Sequence, residues 1–247
     1  MNQSFYTAAV GAQQQMIHLN IQGNNVANVN TQGYKAQKSR FVALFRRQIE
    51  SVEQGLQPYG VGTRMLMTST DHSQGVVAST GRVHDYMIKG DGYFAVVDMA
   101  TNEVSFTRRG RFDVVEYIRP TGEEDEEGNP IMETIQTLAD EEGRFALGKN
   151  GNIIVVKDPD IAQEPGIFDY NNYDGMYHTS GTHFTPVEKN GALYFATGEL
   201  MDGALEGSNV DFAYTMTKVI EAQRAYSMAL KMVQTSDELE TTINSLR

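Results

Sequence analysis

Apolar and small residues recur in alternating steps of four and three at the start of the chain: Phe5, Ala9, Ala12, Met16, Leu19, Gly23 and Val26. This is the heptad seam of a helix that packs lengthwise against another helix. Between the seam positions stand Gln13, Gln14, Gln15, Asn20, Gln22, Asn24 and Asn25, and residues 1–34 contain no Asp, Glu, Lys or Arg. A solvent-facing helix would carry charges. An amide-rich, uncharged surface suits a helix with several neighbours, because an amide can find partners where a buried lone charge is strongly penalised. A second stripe lies at the other end, through Met216, Val219, Gln223, Tyr226, Leu230 and Val233, and resumes out of phase at Leu239, Ile243 and Leu246. Residues 212–245 contain no Pro or Gly. One helix of roughly 50 Å follows, at about 1.5 Å per residue.

The first helix is expected to stop near Asn28, where poor helix formers accumulate before Gly33, a residue suited to positive φ. Residues 34–75 read as an extended linker or arm, broken by Gly55, Pro58, Gly60 and Gly62. The texture then changes. Short β-type runs, such as Tyr86-Met87-Ile88, Tyr93-Phe94-Ala95-Val96-Val97, Phe112-Asp113-Val114-Val115 and Ile153-Ile154-Val155-Val156, are punctuated by Gly90, Gly92, Gly110, Gly148 and Gly151. Residues 170–178, rich in Asn, Tyr and Gly, read as irregular. Ser208 is the expected cap of the last helix, with Asp211 reaching back as a short-armed capping box. The fold class predicted is α+β: an all-β central domain inserted between N- and C-terminal helices that pair as a coiled coil. Its parts are a helical assembly domain of 1–33 and 208–247, the arm at 34–75, and a β-rich outer domain at 76–207.

Composition narrows the function. The formal net charge of −12 over 247 residues argues against nucleic acid and against an anionic membrane as partner. The absence of Cys excludes disulfides, thiol catalysis and Cys-based metal sites. No apolar run reaches the length of a membrane span, so membrane insertion is not expected. The N-terminus lacks the basic region and continuous apolar stretch of a cleaved secretory signal, so any exit from the cell uses another route.

Catalytic patterns are missing. His178 and His183 are five apart, the wrong spacing for one helical face, and read as exposed loop imidazoles. Gly90-Asp91-Gly92 lacks the third Gly of a dinucleotide loop and reads as a turn. The acidic run Glu123-Glu124-Asp125-Glu126-Glu127 lacks the ligand alternation of a calcium loop and reads as a solvated tip. No enzyme, no cofactor and no metal is expected. The structural constellations are the cluster Asn24, Asn25, Asn28 and Asn30, which can end a helix or bond a neighbouring subunit, and Gln223 with Tyr226 on the second seam, where a core Gln would set register. Arg224, taken alone, reads as an ordinary surface charge.

The stretch Asn24-Asn25-Val26-Ala27-Asn28-Val29-Asn30-Thr31-Gln32-Gly33-Tyr34-Lys35 resembles the N-terminal signature of bacterial flagellar rod and hook proteins. Gly207-Ser208-Asn209-Val210-Asp211 with Glu221-Ala222-Gln223-Arg224-Ala225-Tyr226 resembles their C-terminal signature. Ile88-Lys89-Gly90-Asp91-Gly92-Tyr93-Phe94 and Phe106-Thr107-Arg108-Arg109-Gly110-Arg111-Phe112 are similar to their central β domain. The resemblance implies a non-enzymatic axial subunit of the flagellar basal body. It would be exported by the flagellar type III apparatus and would polymerise with its own copies and with other rod and hook proteins into a helical tube. Subunit-interface residues are then expected at Asn24, Asn25, Asn28, Asn30, Gly33, Ser208, Asn209, Asp211, Gln223, Arg224, Tyr226 and Leu230. A short hook-type subunit is the alternative within the family. A secreted cell-wall-binding or cell-wall-cleaving protein, with Tyr170, Tyr173 and Tyr177 as a sugar platform, is the alternative outside it.

Overall fold

The computed structural model describes residues 3–43, 47–49, 57–59, 62–124 and 130–246. The fold is α+β, with a helix at each end and strands between them. The chain divides into two units, one made of Met1–Val29, Ala36–His72 and Val210–Arg247, the other of Asn30–Lys35 and Ser73–Asn209.

Unit 1 contains helices α1 (Gln3–Ala27) and α2 (Phe212–Ser245), which lie against each other. α1 ends one residue before Asn28. There the Asn28 side-chain amide donates to the Asn24 carbonyl at 2.9 Å and to its side-chain oxygen at 2.8 Å, closing the last turn. α2 begins differently from the expectation. Its cap is Asp211, whose carboxylate accepts from the Tyr214 amide, while Ser208 lies outside the helix. Aspartate reaches an amide three residues on as well as serine does, and its negative charge also suits the positive helix start.

Within 34–75, Gln37–Ala43 pairs antiparallel with Thr63–Thr70 through a bulge between Arg40 and Phe41. Asn25 holds this ribbon to α1. Its amide donates to the Gln37 carbonyl at 2.8 Å and its oxygen accepts from the Gln37 N–H at 2.9 Å, copying the exchange a strand neighbour would make.

Unit 2 is built on a nine-stranded sheet. Its main path runs through Tyr177–Ser180, His183–Thr185, Glu103–Thr107, Tyr93–Asp98, Phe145–Ala146, Pro130–Ala139 and Asp113–Glu124, with Ile167–Tyr170 branching from Tyr93–Asp98 and Leu193–Phe195 pairing with that branch. The central strand explains its own apolar run. Tyr93, Ala95 and Val97 enter one core with Phe106, Phe168 and Phe184, while Phe94 and Val96 enter the other with Tyr86, Phe112 and Leu138. A strand covered on both faces has no polar alternation to show.

Two readings of this region change. Residues 170–178 are partly ordered as strands, and Tyr170 is buried in the first core. Ile153–Val156 makes only isolated bridges to Thr137 and Leu147, not a strand. Glu123 and Glu124 end the Asp113–Glu124 strand; the rest of the expected acidic tip, 125–127, lies outside the described residues.

Candidate assembly site

The N-terminal signature does not stop with α1. Residues 30–35 belong to unit 2, where they meet the segment that leads toward α2. Lys35 and Glu206 form an ion pair at 2.6 Å with no exposed side-chain surface on either partner. Arg108 completes the cluster at 3.1 Å from the second Glu206 oxygen. A buried charge is tolerable only when its remaining donors and acceptors are also used, and here most are, the Arg108 Nε being the exception. Lys35 Nζ donates to the Ser73 carbonyl at 2.6 Å, Arg108 donates to the carbonyls of Ile88 and Gly90, and Glu206 accepts from the Gly75 amide at 2.8 Å.

Backbone contacts seal the same place. The Gly33 N–H donates to the Glu206 carbonyl at 2.7 Å, and the Asn209 side-chain amide donates to the Ser73 carbonyl at 3.0 Å. Gly33 sits at φ +69°, and a Cβ there would stand 2.5 Å from the Arg109 nitrogen. Only glycine meets both demands. Gly33, Ser208 and Asn209, expected between subunits, are thus set within this cluster or beside it; Ser208 is buried. Lys35, Arg108 and Glu206 escaped the sequence reading because nothing in spacing or periodicity links positions so far apart. The only hint was a charge standing in apolar company, as Glu206 does after Ala204 and Leu205.

On the helices the expected residues divide. The least exposed residues of α2 are Thr215, Ala222 and Ser236, with Val219, Tyr226 and Val233 part-buried at heptad positions between them. This inward seam keeps Val219, Tyr226 and Val233 of the predicted one but alternates them with small residues, Thr215 and Ala222 standing in place of Met216 and Gln223. Met216, Gln223, Arg224 and Leu230 are exposed, as are Phe212, Ile220, Met228, Met232, Leu239, Ile243 and Leu246. On α1, Ala12, Ile21, Gln22 and Asn25 are buried, while Met16 and Asn24 are exposed. Asn30 is exposed. His18 of α1 marks the helix contact. Its imidazole is held below its usual pKa by burial and then by Lys218 of α2, against the opposing pull of Glu221.

The histidines of unit 2 are not loose loop groups. His183 is buried, with Nε2 2.8 Å from the Asp140 carboxylate, and His178 lies against the rings of Tyr34 and Phe184. They are brought together by a tight hairpin, Tyr177–Ser180 against His183–Thr185, which residue spacing alone did not reveal. Burial pushes the Asp140 carboxyl up, but hydrogen bonds from His183 and from the Arg144 and Glu142 amides outweigh it and hold its pKa low. Tyr170, Tyr173 and Tyr177 do not form a sugar platform. Tyr170 is in the core, Tyr173 donates to Asp169 at 2.6 Å, and only Tyr177 is exposed. No group of residues suited to a metal ion occurs among the described residues, and no described helix is long and apolar enough to cross a membrane.

Comparison with known proteins fits this division of the chain. The family profile described as flagella basal body rod protein matches residues 5–35, covering most of α1 and its continuation into unit 2. The profile described as flagellar basal body rod FlgEFG protein C-terminal matches residues 201–246, covering Glu206 and α2. Both ends of the chain are thus similar to flagellar basal-body rod proteins. It is 29% identical to the flagellar basal-body rod protein FlgG of Bacillus subtilis (strain 168) over the full length of both chains. It is 27% identical to FlgG of Buchnera aphidicola subsp. Baizongia pistaciae over 96% of each chain, and 25% identical to the rod protein FlgF of Escherichia coli (strain K12) over 100% of this chain and 98% of that one. Rod-family likeness therefore runs through unit 2 as well as through the helices.

Proposed function

We propose that this chain is a structural axial subunit of the flagellar basal-body rod. It leaves the cell through the flagellar type III apparatus and polymerises with its own copies, and end to end with other rod and hook proteins, into a helical tube. α1 and α2 pair as a coiled coil and form the inner layer; unit 2 faces outward. The exposed apolar residues of α2, from Phe212 through Leu230 to Leu246, support this reading most directly, because α2 already buries one seam and carries large apolar side chains on its remaining sides, enough to meet more than one neighbour. An exposed apolar surface of that extent marks an interaction site.

Charge supports the same arrangement. By sequence, unit 1 has nine Lys or Arg against eight Asp or Glu, a net +1, whereas unit 2 has eleven against twenty-four, a net −13. Copies can crowd together through a nearly neutral unit, while a strongly acidic one repels its like and favours a solvated periphery. The full-length likeness to FlgG relatives favours a rod subunit over a short hook-type subunit.

The test is localisation in purified basal bodies. With an epitope in the 125–129 segment, label is expected on the rod; label on the hook or none on the axial structure would count against the assignment.

A further inference from the structure

Two β-ribbons of this chain carry opposite charge and matching apolar surface. The first is Asp113–Glu124 paired with Pro130–Ala139. At its inner end Val114 and Leu138 contact the second core of unit 2, but farther out Ile118 and Met132 are 60% and 61% exposed. Ile118 is partnered by Thr134 and Met132 by Pro120, so these residues share one face; the Arg119–Glu133 ion pair occupies the other. A two-stranded ribbon with one bare apolar face is marginal in water unless something covers that face. Residues 113–139 hold eight acidic residues and one basic residue, a net −7.

The second ribbon is Gln37–Ala43 paired with Thr63–Thr70 in unit 1. Segments 36–49 and 62–70 hold five basic residues, Lys38, Arg40, Arg46, Arg47 and Arg64, and no acidic one. Lys38 is paired with Asp71, whereas Arg40 and Arg64 are exposed and have no ion-pair partner among the described residues. Val42, 38% exposed, stands cross-strand from Arg64, so apolar and basic surface adjoin here as apolar and acidic surface adjoin on the other ribbon.

We infer that the acidic ribbon of one copy docks on the basic ribbon of a neighbouring copy. The inference rests on the rod reading, which supplies copies at high local concentration. Two acidic units repel each other, and the basic ribbon is a surface in the chain where such a hairpin meets unpaired cations. Because the two patches differ, the contact is heterologous. Each added copy leaves one of each patch open, which suits an open helical polymer rather than a closed pair.

The absence of Cys makes the contact testable by cross-linking. Met132→Cys with Val42→Cys, in assembled basal bodies under mild oxidation, is expected to produce dimers and higher ladders joined between chains. A disulfide formed within single chains, or no cross-link in basal bodies that contain the subunit, overturns the inference. Charge reversal gives an independent reading. Arg40→Glu with Arg64→Glu should lower incorporation by roughly tenfold or more, and adding Glu123→Lys with Glu124→Lys should restore it. Unaltered thermal unfolding of the variants separates docking from folding. No recovery in the combined variant overturns the pairing while leaving the rod reading intact. The rod reading itself fails only if the unmodified chain is missing from the rod of purified basal bodies.

Discussion

Lys35 and Glu206 stand 171 positions apart in the chain and meet at 2.6 Å, closed off from solvent. Arg108 shares the same carboxylate, so one buried acid pairs with two buried bases and the cluster keeps one net positive charge. The N-terminal signature thus has a role inside the subunit as well as in any role between subunits: it ties the segment after α1 to the segment before α2.

That arrangement makes Glu206 the sensitive member. Glu206→Gln would leave Lys35 and Arg108 buried without a counter-charge, at a cost of about 3–5 kcal/mol. The combined replacement Lys35→Met, Arg108→Met and Glu206→Leu should recover much of that loss, since an apolar substitute for a buried ion cluster is often neutral or stabilising. Urea midpoints of the purified chain check both. A single variant as stable as the parent would show that the cluster is not what closes unit 2.

Glycine substitutions should differ in sign. Gly33→Ala forces a side chain into a left-handed conformation, roughly 1–3 kcal/mol, and into the Arg109 backbone besides. Gly11 and Gly23 lie in α1 with nothing within 4 Å of an added Cβ, so alanine there should stabilise the dilute chain by about 0.5–1 kcal/mol each. Melting temperatures moving the same way for all three would contradict the local geometry.

Acid should weaken unit 2 in two stages. Burial holds the His178 imidazole below its usual value of 6.5, so the folded state binds fewer protons than the unfolded one. Its contribution is therefore complete above pH 6.5 and declines as pH falls below it. Asp140, with its lowered pKa, adds a second loss at pH values below the usual carboxylate range, as its folded form is finally protonated. His178→Gln should flatten the first stage of the stability–pH curve and leave the second; an unchanged slope near pH 6 would refute the assignment.

The two helices should also lose order together. α1 is a 25-residue helix that packs on α2, and an isolated helix of this uncharged, Asn- and Gly-containing composition is marginal in water. Removing residues 212–247 should reduce the circular-dichroism helix signal by more than the 34 residues of α2 account for. A loss limited to α2 would mean that α1 stands alone.

Much of the framework was legible locally. The bounds of α2 follow from a stretch without Pro or Gly, and the end of α1 follows from its Asn cluster. Other features depend on contacts that no local pattern carries. The ion cluster joins Lys35, Arg108 and Glu206 from three separate segments, and His183 is buried because a hairpin turns it toward Asp140. The altered seam of α2 has a different cause. Thr215, Ala222 and Ser236 are too small to register as a stripe, yet small residues let two helices approach closely; of the residues that do register, Val219, Tyr226 and Val233 stay in the seam while Met216 and Leu230 remain outside.

The most direct test of the account is Leu230→Asp. Leu230 is 39% exposed on α2, so its replacement leaves the folded subunit almost unstrained but places a charge in any apolar contact the helix makes with another copy. The measurement is the amount of subunit exported to the culture medium against the amount recovered in purified basal bodies. Export at the parental level with no rod incorporation is the predicted result. Normal incorporation and normal motility would contradict the claim that α2 is the polymerising element.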